Sequence, residues 1–217
     1  MIAQLLTFAF GAFSAIFSVV DPLGVVPVYL AMTASDGRAH KRRTAVRAAV
    51  TMVLALAIFA ASGVYVLKFF GISIGSFRIA GGLLLFLLAV DMLRAQPSRQ
   101  RTTPEEEQEG MEKPDVSIFP LAIPMLSGPG SFATVMMLMT KAHTVWQRGL
   151  VFIAIAINGV LTFVILIGAT YAEKRLGKTG MNVLHRVMGL LLAAIAVQFV
   201  VAGMRDVLPG IAEVMKS

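Results

Sequence analysis

Two proline–glycine runs interrupt the apolar sequence, and both have the residue order that starts a helix. The first reads Asp21-Pro22-Leu23-Gly24-Val25-Val26-Pro27, and the second reads Pro124-Met125-Leu126-Ser127-Gly128-Pro129-Gly130-Ser131. In each run a residue favoured as an N-cap stands before a proline, which is itself favoured in the first helical position. A helix start presents unpaired N–H groups and a partial positive charge, which suit an anion. The runs therefore predict two helix starts that are able to bind a charged ligand.

The two predicted helix starts differ in charge. Asp21 would neutralise the positive end of its own helix and leave a site for a cation, whereas the start at Pro129 carries no acid and stays open to a carboxylate. Gly24, Gly128 and Gly130 let the backbone approach a ligand closely or adopt a positive φ. In the alternative interpretation, Asp21 is only an N-cap and the glycines only form turns.

Composition indicates that these helix starts lie inside a membrane protein. The chain is 57% hydrophobic and 14% charged, with a mean hydropathy of +0.80, whereas soluble domains average about 45–50% apolar and about 25% charged residues. A span needs about 20 residues, and apolar stretches of that length lie near 5–32, 44–67, 72–93, 116–140, 147–170 and 183–204. A break in a membrane helix is tolerated only inside protein or beside a polar cavity. Matching breaks in the first and fourth spans therefore point to a transporter-type binding site.

The basic residues predict how the chain sits in the membrane. Most of the 19 lysines and arginines flank the first, third and fifth connections, and these are Arg38, Lys41, Arg42, Arg43, Arg47, Arg94, Arg99, Arg101, Lys113, Lys174, Arg175, Lys178 and Arg186. Because basic loops stay in the cytoplasm, both termini are predicted to lie outside the bacterial cytoplasmic (inner) membrane. The basic loops are expected to touch anionic membrane lipid. Nucleic acid is not an expected partner, since the basic residues are spread over separate loops without interleaved aromatic residues.

A polar, acidic segment separates the spans into two groups of three. Residues 95–115 hold a block of glutamates and are expected to form a solvated cytoplasmic connector, with a regulatory or partner-binding role as the alternative. The chain is therefore predicted to consist of a first half at 1–94, this linker, and a second half at 116–217, all within one membrane domain.

The two halves resemble each other in sequence. A shift of 107 residues superposes Met32-Thr33 on Met139-Thr140, and a shift of 108 superposes Phe77-Arg78-Ile79-Ala80-Gly81 on His185-Arg186-Val187-Met188-Gly189. Because each half has an odd number of spans, the second half enters the membrane from the opposite side. The predicted fold is an all-α polytopic membrane protein with six spans in two inverted three-helix repeats, the first and fourth spans being broken near the midplane.

Several of these motifs together resemble the MarC family of integral membrane proteins. They are Asp21-Pro22-Leu23-Gly24 with Pro27, Phe119-Pro120-Leu121-Ala122-Ile123-Pro124 leading to Gly128-Pro129-Gly130, Phe77-Arg78-Ile79-Ala80-Gly81-Gly82, and Arg186-Val187-Met188-Gly189-Leu190-Leu191. The resemblance covers nearly the whole chain outside the linker. The family is also described as small neutral amino acid transporters of the SnatA type. The resemblance implies ion-coupled transport of small neutral amino acids such as glycine or alanine.

A zwitterionic amino acid needs donors for its carboxylate and acceptors for its ammonium group. We therefore expect Asp21 to hold the substrate ammonium, or a coupling proton or sodium ion, and the stretch from Ser127 to Ser131 to hold the carboxylate. A charge deep in a membrane favours a functional role over capping alone. The expected substrate-binding residues are Asp21, Pro22, Gly24, Pro27, Ser127, Gly128, Pro129, Gly130 and Ser131.

Other polar residues in the spans are weaker candidates. Thr51, Asn158 and Thr162 are expected either to line the transport path or to join helices through hydrogen bonds. Arg78 and Arg186 are expected to anchor span ends at the membrane interface, with gating as the alternative. The sequence has no cysteine and its histidines lack ligand spacing, so no metal site and no cofactor are expected.

The polar residues of the spans bear on three classes of function. An enzyme is not expected, because the spans hold only Asp21 and Asp91 as candidate acids and no clustered base. An exporter or a channel for another small solute is the alternative to an alternating-access amino acid transporter. The sequence leaves the direction of transport, the coupling ion and homo-oligomerisation open.

Overall fold

The structure, a computed structural model, describes residues 2–33, 36–94 and 116–214 of the 217-residue chain. Within these ranges the chain is helical with short connections, and no strand is found. The helices are α1 Ile2–Val20, α2 Pro22–Met32, α3 Arg38–Phe69, α4 Ile74–Leu93, α5 Pro129–Lys141 and α6 Val145–Val214, and an irregular helical segment, Ser117–Leu126, precedes α5. The predicted linker at 95–115 lies outside the described residues.

The described helices are long and apolar enough to cross a bilayer. Five stretches within the described ranges meet this condition, and the bent pair formed by Ser117–Leu126 and α5 brings the number to as many as six. The five are Ala3–Val26, Arg38–Phe69, Ile74–Leu93, Val145–Ala169 and Arg186–Leu208. Large apolar side chains such as Phe10, Leu54 and Leu190 remain exposed on the outer faces, as expected where lipid covers the surface. The prediction of an all-α polytopic membrane protein is therefore confirmed.

Helix α6 contains two apolar arms, the first arm Val145–Ala169 and the second arm Arg186–Leu208. A straight helix of 70 residues would be roughly 105 Å long. Lys141, which lies just before α6, nevertheless has its Nζ 4.6 Å from the ring centroid of Phe199 in the second arm. The chain must therefore reverse between the arms, and the second arm returns to the end of the bundle at which the first arm began.

A tight turn connects α3 to α4. Gly71 has a φ of +67°, a left-handed conformation that glycine adopts without strain. The N–H of Ile72 donates to the carbonyl of Leu67 over 2.9 Å, which closes α3 with a Schellman-type cap. Ser73 Oγ then accepts the N–H of Ser76 over 3.0 Å and caps the start of α4. The start of α4 is therefore held beside the end of α3.

Helices α2 and α5 run from the two chain breaks toward opposite ends of the bundle. Tyr29 Oη, near the end of α2, donates to the carbonyl of Lys41 over 2.9 Å, so α2 ends beside the start of α3. Arg78 Nη2 donates to Thr140 Oγ1 over 3.0 Å, so α5 ends beside the start of α4. We call these the Lys41 end and the Arg78 end. Opposite directions are what an inverted repeat requires; the repeat itself stays a prediction.

Helix α4 and the second arm form a closely packed antiparallel pair. A Cβ atom built on Gly203 would lie 2.7 Å from the carbonyl oxygen of Gly75, and one on Gly82 would lie 2.9 Å from a backbone oxygen of the second arm. A Cβ atom on Gly189 would lie 2.8 Å from the Cβ of Met92. Glycine therefore brings the two backbones together at both ends and in the middle, and we call α4 with the second arm the glycine-packed pair.

Two apolar clusters hold the remaining helices. The first joins α1, α2, α3, α5 and the first arm, with Ile16, Met52 and Ile155 fully buried. The second joins α4, α5 and the second arm to Val19 of α1, with Leu85 fully buried. Helix α5 contributes side chains to both clusters, and Gly130 and Ser131 in its first turn are buried, whereas Pro129 is exposed.

Candidate functional site

Asp21 joins α1 to α2 inside the bundle. Its N–H donates to the carbonyl of Phe17 over 2.9 Å, which completes α1, and its φ of +43° then turns the chain into the left-handed region. Aspartate tolerates this conformation better than most residues. Oδ1 of Asp21 accepts the N–H of Gly24 over 3.2 Å, and the residue is only 1% exposed. Asp21 therefore caps α2, which begins at Pro22 as the sequence predicted.

The second break is a longer irregular passage before α5. Phe119 and Ile123 have extended backbone angles inside the Ser117–Leu126 segment. Ser127 ends the passage by donating to the carbonyl of Ala122 through both its N–H, over 2.8 Å, and its Oγ, over 2.6 Å. The segment and α5 meet at a bend of 57°. The fourth span is therefore broken where the sequence predicted.

Helix α5 begins without a side-chain cap. Gly128 occupies the N-cap position and Pro129 is the first helical residue. The hydroxyl of Ser131 donates to the carbonyl of Leu126 over 3.0 Å, so it turns back toward the preceding segment. Within the described part of the chain, the N–H groups of Gly130 and Ser131 have no backbone partner, as expected for the first turn of a helix. The two helix starts are thus chemically unequal.

A small cavity lies against the start of α5. Its walls are Val19, Leu84, Leu88, Met125, Gly128, Pro129, Gly130 and Ser131. A Cβ atom built on Gly130 would lie 3.1 Å from Leu85 Cδ2 and 3.4 Å from Val19 Cγ1, so glycine brings α5 close to α4 and α1 here. Val19 stands two residues before Asp21, so the last turn of α1, just before the first break, packs against the start of α5. The arrangement offers backbone donors beside a small, mostly apolar space.

The structure places the predicted substrate-binding residues in two groups, one at the start of α2 and one at the start of α5. Gly128, Pro129, Gly130 and Ser131 line the cavity. Ser127 is buried directly before them, while Asp21, Pro22 and Gly24 form the capped start of α2. Pro27 continues the backbone of α2, and its side chain lies outside the described set.

The three predicted path-lining residues are not part of the cavity wall. Asn158 is buried in the first arm, and its Nδ2 donates to the carbonyl of Phe13 in α1 over 3.4 Å. Thr162 Oγ1 lies 3.9 Å from the sulfur of Met52 in α3, and Thr51 is half-buried in the same helix. These contacts support the interpretation in which the polar residues join helices.

Arg78 differs from the interfacial anchor that the sequence favoured. Its side chain is only 13% exposed, and it bonds Asp206 of the second arm and Thr140 of α5. The sequence did not indicate Asp206 as a partner, because the two residues lie 128 positions apart. It also missed the apolar cavity wall at Leu84 and Leu88. In a membrane helix, lipid-facing and interior positions are both apolar, so no periodicity marks the wall.

Comparison with known proteins places the chain in a family. The model of the MarC family, described as MarC family integral membrane protein, matches residues 6–208. A UPF0056 membrane protein of Methanocaldococcus jannaschii is 39% identical over 91% of this chain and 96% of its own length. UPF0056 membrane protein YvbG of Bacillus subtilis is 36% identical over 95% of this chain and 98% of its own. YhcE of Escherichia coli, also named a UPF0056 membrane protein, is 32% identical over 93% and 94%.

No solved structure gives a significant match. The family match covers both broken spans, the cavity wall at the start of α5 and both members of the glycine-packed pair. This chain therefore belongs to the MarC family of integral membrane proteins.

Proposed function

We propose that this protein is a secondary transporter of small neutral amino acids of the size of glycine or alanine. It works by alternating access and is coupled to protons or sodium ions. The observation that carries the proposal is the chemical inequality of the two helix starts, since Asp21 caps α2 and no side chain caps α5. In this proposal the protein lies in the cytoplasmic membrane of a bacterium with both termini outside.

The start of α5 is the proposed carboxylate site. The N–H groups of Gly130 and Ser131 have no helical partner, and both residues line the cavity. The positive end of the helix dipole adds to this attraction for an anion. Because no acid lies in the first turn of α5, a substrate carboxylate meets no like charge there.

Asp21 is the proposed cation site. A carboxylate that is 1% exposed inside a membrane protein is costly unless a cation, a proton or hydrogen bonds compensate its charge. Val19, two residues before Asp21, lines the cavity at the start of α5, which favours a ligand that carries an ammonium group and a carboxylate close together. The substrate ammonium and a coupling ion are the two candidates for this position.

The cavity wall favours a substrate with a small side chain. Val19, Leu84, Leu88 and Met125 close on the start of α5. These apolar side chains disfavour a polar substrate side chain, and the space, which takes about one water molecule, disfavours a large one. We therefore expect glycine and alanine to compete with each other, and leucine to compete weakly.

Flux into liposomes tests the proposal. The purified protein is reconstituted and given labelled glycine or alanine, with a proton gradient, a sodium gradient or neither. Saturable uptake, counterflow, and stimulation by one gradient are expected. Conductance without saturation or counterflow would indicate a channel instead, and the absence of saturable flux for every small amino acid would contradict the substrate class.

Asp21→Asn tests the role of the carboxylate. We expect this variant to lose its response to the ion gradient, because asparagine keeps the cap but not the charge. Unchanged transport together with an unchanged response to both gradients would remove Asp21 from ion coupling.

A further inference from the structure

A cluster of polar side chains lies at the Arg78 end of the bundle. Arg78, in α4, donates through Nη2 to Thr140 Oγ1 over 3.0 Å at the end of α5. Through Nη1 it also donates to Asp206 Oδ2 in the second arm. Lys141, next to Thr140, lies over the ring of Phe199. These contacts tie a helix of the first half of the sequence to two helices of the second half.

The two partners of Arg78 belong to different parts of the structure. Asp206 lies in the second arm, which is packed against α4 through glycines, so this ion pair is internal to the glycine-packed pair. Thr140 ends α5, the helix whose start lines the cavity. Asp206 therefore orients the guanidinium group, and the bond to Thr140 holds α5 against the glycine-packed pair.

The internal repeat provides a counterpart of the Arg78–Thr140 contact. Thr140 corresponds to Thr33 by a shift of 107 residues, and Arg78 corresponds to Arg186 by a shift of 108. Thr33 directly follows α2 at the Lys41 end. Arg186 begins the second arm at the same end, since nearby Gly189 packs against the last turns of α4. Inverted halves therefore suggest an Arg186–Thr33 contact at the Lys41 end.

This counterpart contact is not formed among the residues that the structure describes. Arg186 is exposed, whereas Thr33 is buried and its hydroxyl donates to a carbonyl of α2 over 2.7 Å. Thr140 likewise donates to the carbonyl of Met137 over 2.8 Å while it accepts from Arg78. A hydroxyl that donates keeps lone pairs for accepting, so Thr33 has the same capacity to accept from an arginine.

We propose that Arg78–Thr140 and Arg186–Thr33 are alternative latches that close opposite ends of one transport path. The present structure is the state closed at the Arg78 end. When that latch opens, α5 moves away from the glycine-packed pair, and α2 closes against Arg186 at the Lys41 end. The inference rests on the proposed transporter function, because only an alternating-access carrier needs its two ends closed in turn.

A single reporter thiol tests this exchange without any substrate. The natural sequence has no cysteine, so Ser131→Cys introduces one thiol, buried at the cavity wall. The rate of its modification by a membrane-impermeant thiol reagent is measured from each side of oriented proteoliposomes. Thr140→Val removes the acceptor of the observed latch at nearly constant volume. We expect the rate from the Arg78 side to rise about tenfold and the rate from the Lys41 side to fall.

Further variants separate a latch from a general loosening. Arg186→Gln, added to Thr140→Val, is expected to return both rates toward those of the reporter alone, because it weakens the opposing latch. Asp206→Asn is expected to act in the same direction as Thr140→Val. Arg205→Gln, which alters the exposed neighbour of Asp206, is the matched control and is expected to leave both rates unchanged.

The outcomes are distinguishable from those of the flux experiment. If Thr140→Val raised the modification rate from both sides, or changed it from neither side, the latch would be overturned whatever the protein transports. Should that variant fail to fold, Arg78→Lys provides the same test, since a lysine keeps the charge but lacks the fork that reaches two partners. The predicted opposite changes in rate, together with no amino acid flux, would support the latches and reject the substrate class.

Discussion

At the scale of single residues, Asp21 has two structural roles, in the backbone turn and in the helix cap, and it also carries a negative charge. Its backbone takes a positive φ and its side chain caps α2, and asparagine is suited to both of these tasks. The negative charge is the one property that asparagine lacks. The structural and the electrical contributions of this residue are therefore separable by substitution.

The structural role of Asp21 is expected to appear in the free energy of unfolding of its variants. Asp21→Ala loses the cap and strains the left-handed backbone, so the free energy of unfolding should fall by about 1–3 kcal/mol. Asp21→Asn should stay close to the parent protein. Thermal unfolding in detergent measures both. If the asparagine variant were as unstable as the alanine variant, the charge itself would be structural.

Gly130 is expected to control the size of the cavity. A methyl group there would lie 3.1 Å from Leu85 Cδ2 and 3.4 Å from Val19 Cγ1, so Gly130→Ala narrows the space beside the proposed carboxylate site. We expect the apparent KM for glycine to rise severalfold with little loss of folded protein. Gly149→Ala is the control, because a Cβ atom at that helical position meets nothing within 4 Å. Equal kinetics in the two variants would argue against a substrate at this wall.

At the scale of elements, the sequence predicted where helices begin more completely than what they pack against. Pro22 after Asp21 and Pro129 after Gly128 marked both helix starts, because capping and the fixed φ of proline are local effects. The irregular path through Phe119 and Ile123 was not predictable, since it depends on the surrounding helices. The cavity wall was hidden for the same reason, because contact with lipid and contact with protein select the same apolar side chains.

The glycine-packed pair is expected to be sensitive to single methyl groups. Gly203→Ala would place a Cβ atom 2.7 Å from the carbonyl oxygen of Gly75, and backbone does not yield as a flexible side chain does. The helices must separate, so the free energy of unfolding should fall by about 1–3 kcal/mol. Gly168→Ala, at a helical position with nothing within 4 Å, should be neutral or stabilising. Thermal unfolding of both variants in detergent provides the comparison, and equal stability would exclude the close packing.

At the scale of the whole molecule, length and composition predicted six apolar spans, and the described residues form five candidate spans, or six with the bent pair. The orientation rests on charge alone. The Lys41 end carries the first basic connection, including exposed Arg42 and Arg43. The Arg78 end carries exposed Trp146 at the start of the first arm. The positive-inside rule therefore assigns the Lys41 end to the cytoplasm.

Labelling of introduced cysteines is expected to confirm this orientation. Arg42→Cys should react with a membrane-impermeant thiol reagent only in inside-out vesicles. Trp146→Cys should react with the same reagent only in right-side-out vesicles. Both positions are exposed in the structure, so a failure to react reflects the side of the membrane rather than burial. The reverse pattern would invert the predicted topology and would place both termini inside.

The backbone contact between Gly75 and Gly203 has a consequence for motion as a whole. At both ends and in the middle of these two helices, glycines let backbone atoms approach closely, so a sliding movement would bring backbone and side-chain atoms into collision. In the proposed exchange of latches, the glycine-packed pair is therefore expected to stay fixed while α2 and α5 move. Distances between spin labels within the glycine-packed pair should be the same in every conformational state. They therefore serve as a fixed reference for measuring the displacement of α2 and α5.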